Sequence, residues 1–208
     1  MKNLLKNKTF ALAGGAFLIV VISALTFLDG RGAYNPATRY GRMRDELAAG
    51  DFKAANTEAS EIVLQLANRT NEGWLGTDDV ERLPCADLVY MDALFMNASG
   101  GRFGLSAQEK VLATLDEKGE TTLSRTPDRL DAFGSAVGWR RDGRWLTYDE
   151  MSFAPADAPV GHLPVFKPED GIRAPFKSRD GHPQTGGALF DLLEHRFTAC
   201  RPEILAAN

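Results

Sequence analysis

A mainly α-helical single domain is the fold class this sequence predicts, and three observations lead to it. Apolar residues recur at three- and four-residue intervals, as in Phe52, Ala55, Ala59, Ile62, Val63 and Leu66. Capping residues bracket such stretches, with Gly50 placed to close one helix and Asp51 to open the next. Strand-like alternation is confined to one place, around Arg141-Asp142-Gly143. At 208 residues, 44% hydrophobic and 25% charged, the chain can build one domain with a real core and is short for two.

The first residues differ in kind from the rest. Lys2, Lys6 and Lys8 precede an uncharged run from Thr9 to Leu28. Twenty residues at about 1.5 Å each reach roughly 30 Å, the thickness of a hydrocarbon core. The expectation is a basic tail over 1–8, a transmembrane anchor over 9–28 and a linker over 29–35. Moving three lysines and a free amine across a bilayer is costly. That favours a cytoplasmic N-terminus and a periplasmic domain, with a cytoplasmic-facing domain as the alternative because Arg31, Arg39, Arg42 and Arg44 follow the span. A signal peptide cleaved near Ile22-Ser23-Ala24 competes with the anchor, although its strict small-residue pattern is missing.

Each later element has its own local reason. Tyr40 to Ala49 puts Met43 and Leu47 on one face, and Gly50-Asp51 then turns the chain into a second helix ending near Leu66, which predicts an αα-hairpin. Thr77, Asp78 and Asp79 open a short helical turn that stops at Pro84. Cys85 to Asn97 lines up Leu88, Met91 and Phe95, with Leu94 beside them. Ser106 and Glu109 have capping-box spacing, so a helix is expected from Ala107 to about Leu115. Val137 to Tyr148 reads as the hairpin, and Gly187 to Cys200 as a final helix with Leu189, Leu192, Leu193 and Phe197 inward before Pro202. Between them, Ala154 to Gly187 holds six prolines and five glycines yet keeps Leu163, Phe166, Ile172 and Phe176. A loop this long with apolar side chains to bury reads as a flap packed on something.

Composition and motif search exclude several function classes. The formal net charge is −4, and no basic stripe of the kind a nucleic-acid binder needs is present. No Cys-x-x-Cys and no histidine pair at i, i+4 spacing exists, which argues against a dedicated zinc site. Cys85 and Cys200 either pair or are separately buried thiols. Ser99 and Ser106 lack a nucleophile elbow, and Asp87 and Asp92, five apart, do not share a helix face well. Asp92 reads as a cap or an arginine partner, so the chain is expected not to be an enzyme. A hydrolase built on His162 and Asp92 is a distant rival.

Two glycine-punctuated stretches stand out, Ser99-Gly100-Gly101-Arg102-Phe103-Gly104-Leu105-Ser106-Ala107-Gln108 and Gly161-His162-Leu163-Pro164. Others join them in order: Tyr40 with Leu47, Gly50-Asp51-Phe52, Ala54-Ala55 with Thr57, Trp74-Leu75, Leu83-Pro84-Cys85, Asp87-Leu88 with Asp92 and Leu94, Val137-Gly138-Trp139-Arg140, and Ala158-Pro159. Over about residues 36–203 this series resembles the genomes-uncoupled-four family, tetrapyrrole-binding regulators of magnesium chelatase. Phe95, Leu105 and Ala107 depart from the family's usual tryptophan, phenylalanine and valine, and 151–157 matches poorly. The resemblance implies one helical, porphyrin-binding domain over 36–203 with a cupped, greasy face and a short tail over 204–208. Its ligand would be protoporphyrin IX, the magnesium complex or a haem-like molecule, with no other cofactor required.

A porphyrin needs apolar surface for its ring and cations for its propionates. The corresponding regions, Trp74 to Leu83 and Leu163 to Lys177, supply Trp74, Leu75, Leu83, Phe103, Leu163, Phe166, Ile172 and Phe176 for the ring. Arg173, Lys177 and Arg179 serve for the acids. His162 is a weak candidate for an axial metal ligand, its competing role being a hydrogen bond to backbone. The expectation is therefore a membrane-anchored, non-enzymatic tetrapyrrole carrier or sensor. The alternatives are a protein-interaction module that keeps the fold without the ligand, or a regulator of magnesium chelatase if the domain is cytoplasmic.

Overall fold

In the computed structural model of the chain, the described residues are 36–117, 127–166, 176–177, 183–184 and 193–200. They all belong to the second of the chain's two units, Pro36–Asn208. Seven helices come first: α1 (Pro36–Arg39), α2 (Gly41–Ala48), α3 (Phe52–Leu66), α4 (Thr77–Glu81), α5 (Cys85–Ala98), α6 (Leu105–Glu117) and α7 (Pro127–Ala136). Two short antiparallel strand pairs follow, β1 (Arg140–Arg141) with β2 (Arg144–Trp145) and β3 (Phe176–Lys177) with β4 (Pro183–Gln184). Residues 193–200 are helical and are called α8 below.

The hairpin of α2 and α3 forms as its caps require. Gly50 takes a φ of +76°, and the Asp51 carboxylate accepts the Ala54 N–H at 3.0 Å. Met43 and Leu47 then meet the buried face of Phe52, Ala55, Ala59, Ile62 and Val63. α5 packs its Leu88, Met91 and Phe95 into the same core. Asp87 on α5 fastens the start of the domain. Its Oδ1 accepts the Tyr40 hydroxyl at 2.8 Å and the Arg39 guanidinium at 2.9 Å.

Several elements depart from the sequence expectation, each for a physical reason. α6 starts at Leu105, two residues before Ala107, because its cap comes from another helix. Asp92 accepts the Ser106 N–H at 2.9 Å and the Ser106 hydroxyl at 2.6 Å, so Ser106 is capped by Asp92 and is not itself the cap. α7 was not expected, although Pro127 stands at the first helical position, where proline is favoured. The hairpin is shorter than 137–148: the Trp139 N–H closes α7 by donating to the Gly134 carbonyl, and Tyr148–Glu150 form a 3₁₀ turn. The β3–β4 pair was also unexpected. Leu193 and Phe197 of α8 are buried as foreseen, and Cys200 is buried with them, whereas Leu189 and Leu192 lie outside the described residues. Cys85 and Cys200 form a disulfide with 5.1 Å between their Cα atoms, which decides between the two readings of those cysteines.

The expected membrane placement is corrected. Among the described residues, no helix is long and apolar enough to cross a membrane. The 9–28 run on which a transmembrane anchor and a periplasmic domain rested lies outside those residues, as does the 204–208 tail. Single-pass membrane localisation is therefore not carried forward.

Candidate functional site

The two glycine-rich stretches, some sixty residues apart in the chain, meet in space. The Gly104 N–H donates to the Leu163 carbonyl and the Gly161 N–H to the Arg102 carbonyl, both at 2.8 Å. The two glycines make this approach possible. Gly104 has a φ of +123°, and a Cβ there would stand 2.5 Å from the Asp92 carboxylate and 2.8 Å from Met96. Gly161 has a φ of +78°, and its Cβ would press to 3.3 Å from the Gln108 backbone.

Five side chains complete the seam. The Gln108 amide, on α6, donates to the Gly161 carbonyl at 3.0 Å and to the Pro164 carbonyl at 2.8 Å. Arg102 donates to the Pro155 and Ala158 carbonyls at 2.7 and 2.8 Å. The Trp139 indole donates to the His162 carbonyl at 2.7 Å, and His162 Nδ1 lies 2.6 Å from the Val137 carbonyl. Ser99 locks the turn itself: its hydroxyl donates to the Phe95 carbonyl and accepts the Phe103 N–H. The segment 154–166 is thus a strap nailed to the helical core through its backbone. Such a segment has no ladder of its own, so buried side-chain amides and guanidinium groups must satisfy its carbonyls.

Asn56 holds the end of the strap. It is fully buried on α3, its Nδ2 donates to the Val165 carbonyl at 2.6 Å, and its Oδ1 accepts the Val165 N–H at 2.8 Å. Nδ2 also lies 3.1 Å from the Tyr148 hydroxyl. The sequence reading used Ala55 and Thr57 on either side and passed over Asn56. The available signal was a polar amide on a mostly apolar α3 face that also buries Glu58.

A second cluster lies in the turn between α3 and α5. The Asp79 carboxylate accepts the Gly76 N–H at 2.8 Å and Arg69 Nε at 2.9 Å, with Arg82 at 3.2 Å. Burial works to raise the Asp79 pKa, but the Gly76 N–H and Arg69 outweigh it and hold the carboxyl below its ordinary value. The Arg69 guanidinium also lies 5.6 Å from the Trp74 ring centroid. Trp74 is half-buried. At the end of this turn the Leu83 carbonyl accepts Arg196 Nε from α8 at 3.0 Å.

The site residues read from the sequence divide sharply. Leu75, Leu83, Phe103 and Leu163 are in the core, Phe103 edge-on to Phe52 at 5.5 Å, so their side chains serve packing. Trp74 and Phe166 are half-buried. Phe176 and Lys177 belong to β3 by their backbone. Ile172, Arg173 and Arg179 lie outside the described residues. His162 is 1% exposed, and burial lowers its pKa while the Val137 hydrogen bond opposes that shift. Its Nε2 has no hydrogen-bond partner and no exposure, which gives it a structural place in the seam and no open face for an axial ligand. Among the described residues, no group of three or more His, Cys, Asp or Glu side chains could hold a metal ion.

A single helical domain whose strap is sealed by glycine turns and buried amides defines the class, and comparison supplies the family. The GUN4-like family model matches residues 34–177, and the chain belongs to that family. The chain is 26% identical over 136 residues to a Ycf53-like protein of Synechocystis, covering 64% of this chain and 54% of that protein. It is also 26% identical over 136 residues to an uncharacterized ycf53 protein of Pyropia yezoensis, covering 64% and 53%. It therefore spans about half the length of these relatives. In fold it is similar to the ligand-free structure of Arabidopsis thaliana GUN4 (TM-score 0.53, 22% identity, 79% of this chain and 93% of that one). GUN4 from Chlamydomonas reinhardtii is similar too (TM-score 0.54, 23% identity, 81% and 94%).

Proposed function

We propose that this chain binds a tetrapyrrole without transforming it, acting as a carrier or sensor. Membership of the GUN4-like family carries the reading, because its members are known as tetrapyrrole-binding regulators. The half-buried Trp74, with the Arg69 guanidinium 5.6 Å from its ring centroid, is an aromatic side chain of the kind a flat macrocycle packs against. Phe166 is followed in the sequence by Ile172, Arg173, Phe176, Lys177 and Arg179, the residues proposed to complete the ring and propionate contacts. Protoporphyrin IX, its magnesium complex and haem share this chemistry. The family's general partner, magnesium chelatase, is proposed as the target of regulation.

The reading is non-enzymatic, and buried Asp92 and His162 are given structural duties. Titrating the purified full chain with protoporphyrin IX tests it. Saturable binding with a shifted Soret band and quenched tryptophan fluorescence is expected. A spectrum equal to that of free porphyrin at every protein concentration would refute tetrapyrrole binding and leave the fold as an interaction module.

A further inference from the structure

Asn56 joins α3 to the end of the strap. Its amide meets one backbone unit in both directions, as a neighbouring strand would, donating to the Val165 carbonyl and accepting the Val165 N–H. The second Nδ2 proton is directed at the Tyr148 hydroxyl, which also lies 3.3 Å from Thr57 Oγ1 and donates to the Lys53 carbonyl at 3.3 Å. Asn56 is therefore fixed from behind by Tyr148 and reads Val165 in front. Only a side chain with one acceptor and two donors satisfies all three partners. A leucine would leave a buried N–H and C=O unpaired, and a carboxylate would face the Val165 carbonyl without a proton to give.

Val165 is the last buried residue before half-buried Phe166. The Gln108 bond to the Pro164 carbonyl and the Asn56 clasp on Val165 fix two consecutive residues, and the direction in which Phe166 leaves the core follows from them. We propose that Asn56 is a positioning residue for ligand binding, setting Phe166 for contact with the tetrapyrrole without touching the ligand itself. This rests on the tetrapyrrole reading above.

The test compares wild type, N56L, N56D and Y148F as full chains. It uses protoporphyrin IX titration below each variant's melting temperature, together with amide hydrogen exchange at Val165. N56L and N56D should lose Val165 protection while keeping helical circular dichroism, and their Kd for protoporphyrin should rise about tenfold, the size of one to two lost buried hydrogen bonds. Y148F leaves the Asn56–Val165 pair intact and should raise Kd only about two- to threefold. Lowering the pH through the carboxylic acid range returns a donor to the N56D side chain, so its Kd relative to wild type should fall again. A purely structural role would lower the melting temperature of N56L and N56D and leave Kd unchanged, and that result would overturn the proposal. Should both fail to fold, an unchanged Kd in Y148F would overturn it. Wild type that does not bind protoporphyrin at all, with Val165 protected, would instead refute the tetrapyrrole reading.

Discussion

Gln108 spends both amide protons on backbone carbonyls of the strap, and at 1% exposure no water can replace it. Gln108→Leu keeps much of the volume and leaves two buried acceptors unpaired. We expect a loss of about 2–4 kcal/mol in urea unfolding, with no change in helix content before the transition. His162 gives the seam a pH dependence whose sign follows from its lowered pKa. The folded state holds the ring neutral, whereas the unfolded chain takes up a proton near the ordinary value of 6.5. Its contribution is fully present above that value and declines as the pH falls from there toward the folded pKa. The thermal midpoint of wild type should drop on acidification below about 6.5, and His162→Gln should flatten that limb. A slope identical in both proteins would clear His162 of the effect.

Among the elements, those with self-contained signals were legible in the sequence. α2, α3 and α5 carry their own period, with Gly50 and Asp51 marking the turn between the first two, and their residues fall where the spacing puts them. α6 was mis-set by two residues because its cap, Asp92, arrives from α5, and α7 was missed because its short sequence PDRLDAFGSA has only Leu130 and Phe133 as large apolar residues. Site residues were harder to read. Leu75, Leu83, Phe103 and Leu163 look like ligand-facing apolar residues in a string, but packing takes them inside. Asn56 looks like an ordinary helix residue until Val165 meets it 109 positions later. The disulfide belongs to this scale as well, tying α8 to the first residue of α5 across 115 positions. Reduction, or Cys200→Ser, should cost up to about 4–5 kcal/mol in the chain-entropy account and slow migration on a non-reducing gel. Equal melting temperatures with and without reductant would argue that α8 docks through Leu193, Phe197 and Arg196 alone.

Across the whole domain, most of the residues that carry the family resemblance differ from those proposed to meet the ligand, Trp74 standing in both sets. Arg102, Gly104, Gln108, Trp139, Gly161 and His162 are joined by backbone hydrogen bonds around one strap. Their duty is to fix the strap. Trp74, in the turn before α4, and Phe166, the last residue of the strap, are half-buried and are the residues proposed above for contact with a macrocycle. Both regions hold a cation with partners of its own: Arg69, one-third exposed beside Trp74, pairs with Asp79 and Glu72, whereas Arg102 in the seam is committed to the Pro155 and Ala158 carbonyls. The three tryptophans report on the two regions separately, since Trp74 belongs to the turn before α4, Trp139 to the seam and Trp145 to β2. The most direct measurement is therefore the set of three indole N–H resonances, assigned by Trp→Phe substitution and followed while protoporphyrin IX is added to the full chain. The Trp74 signal should shift or broaden through ring current, and the Trp139 signal, whose proton is held on the His162 carbonyl, should stay in place. Movement of Trp139 with Trp74 unchanged would put the ligand in the seam and contradict this account.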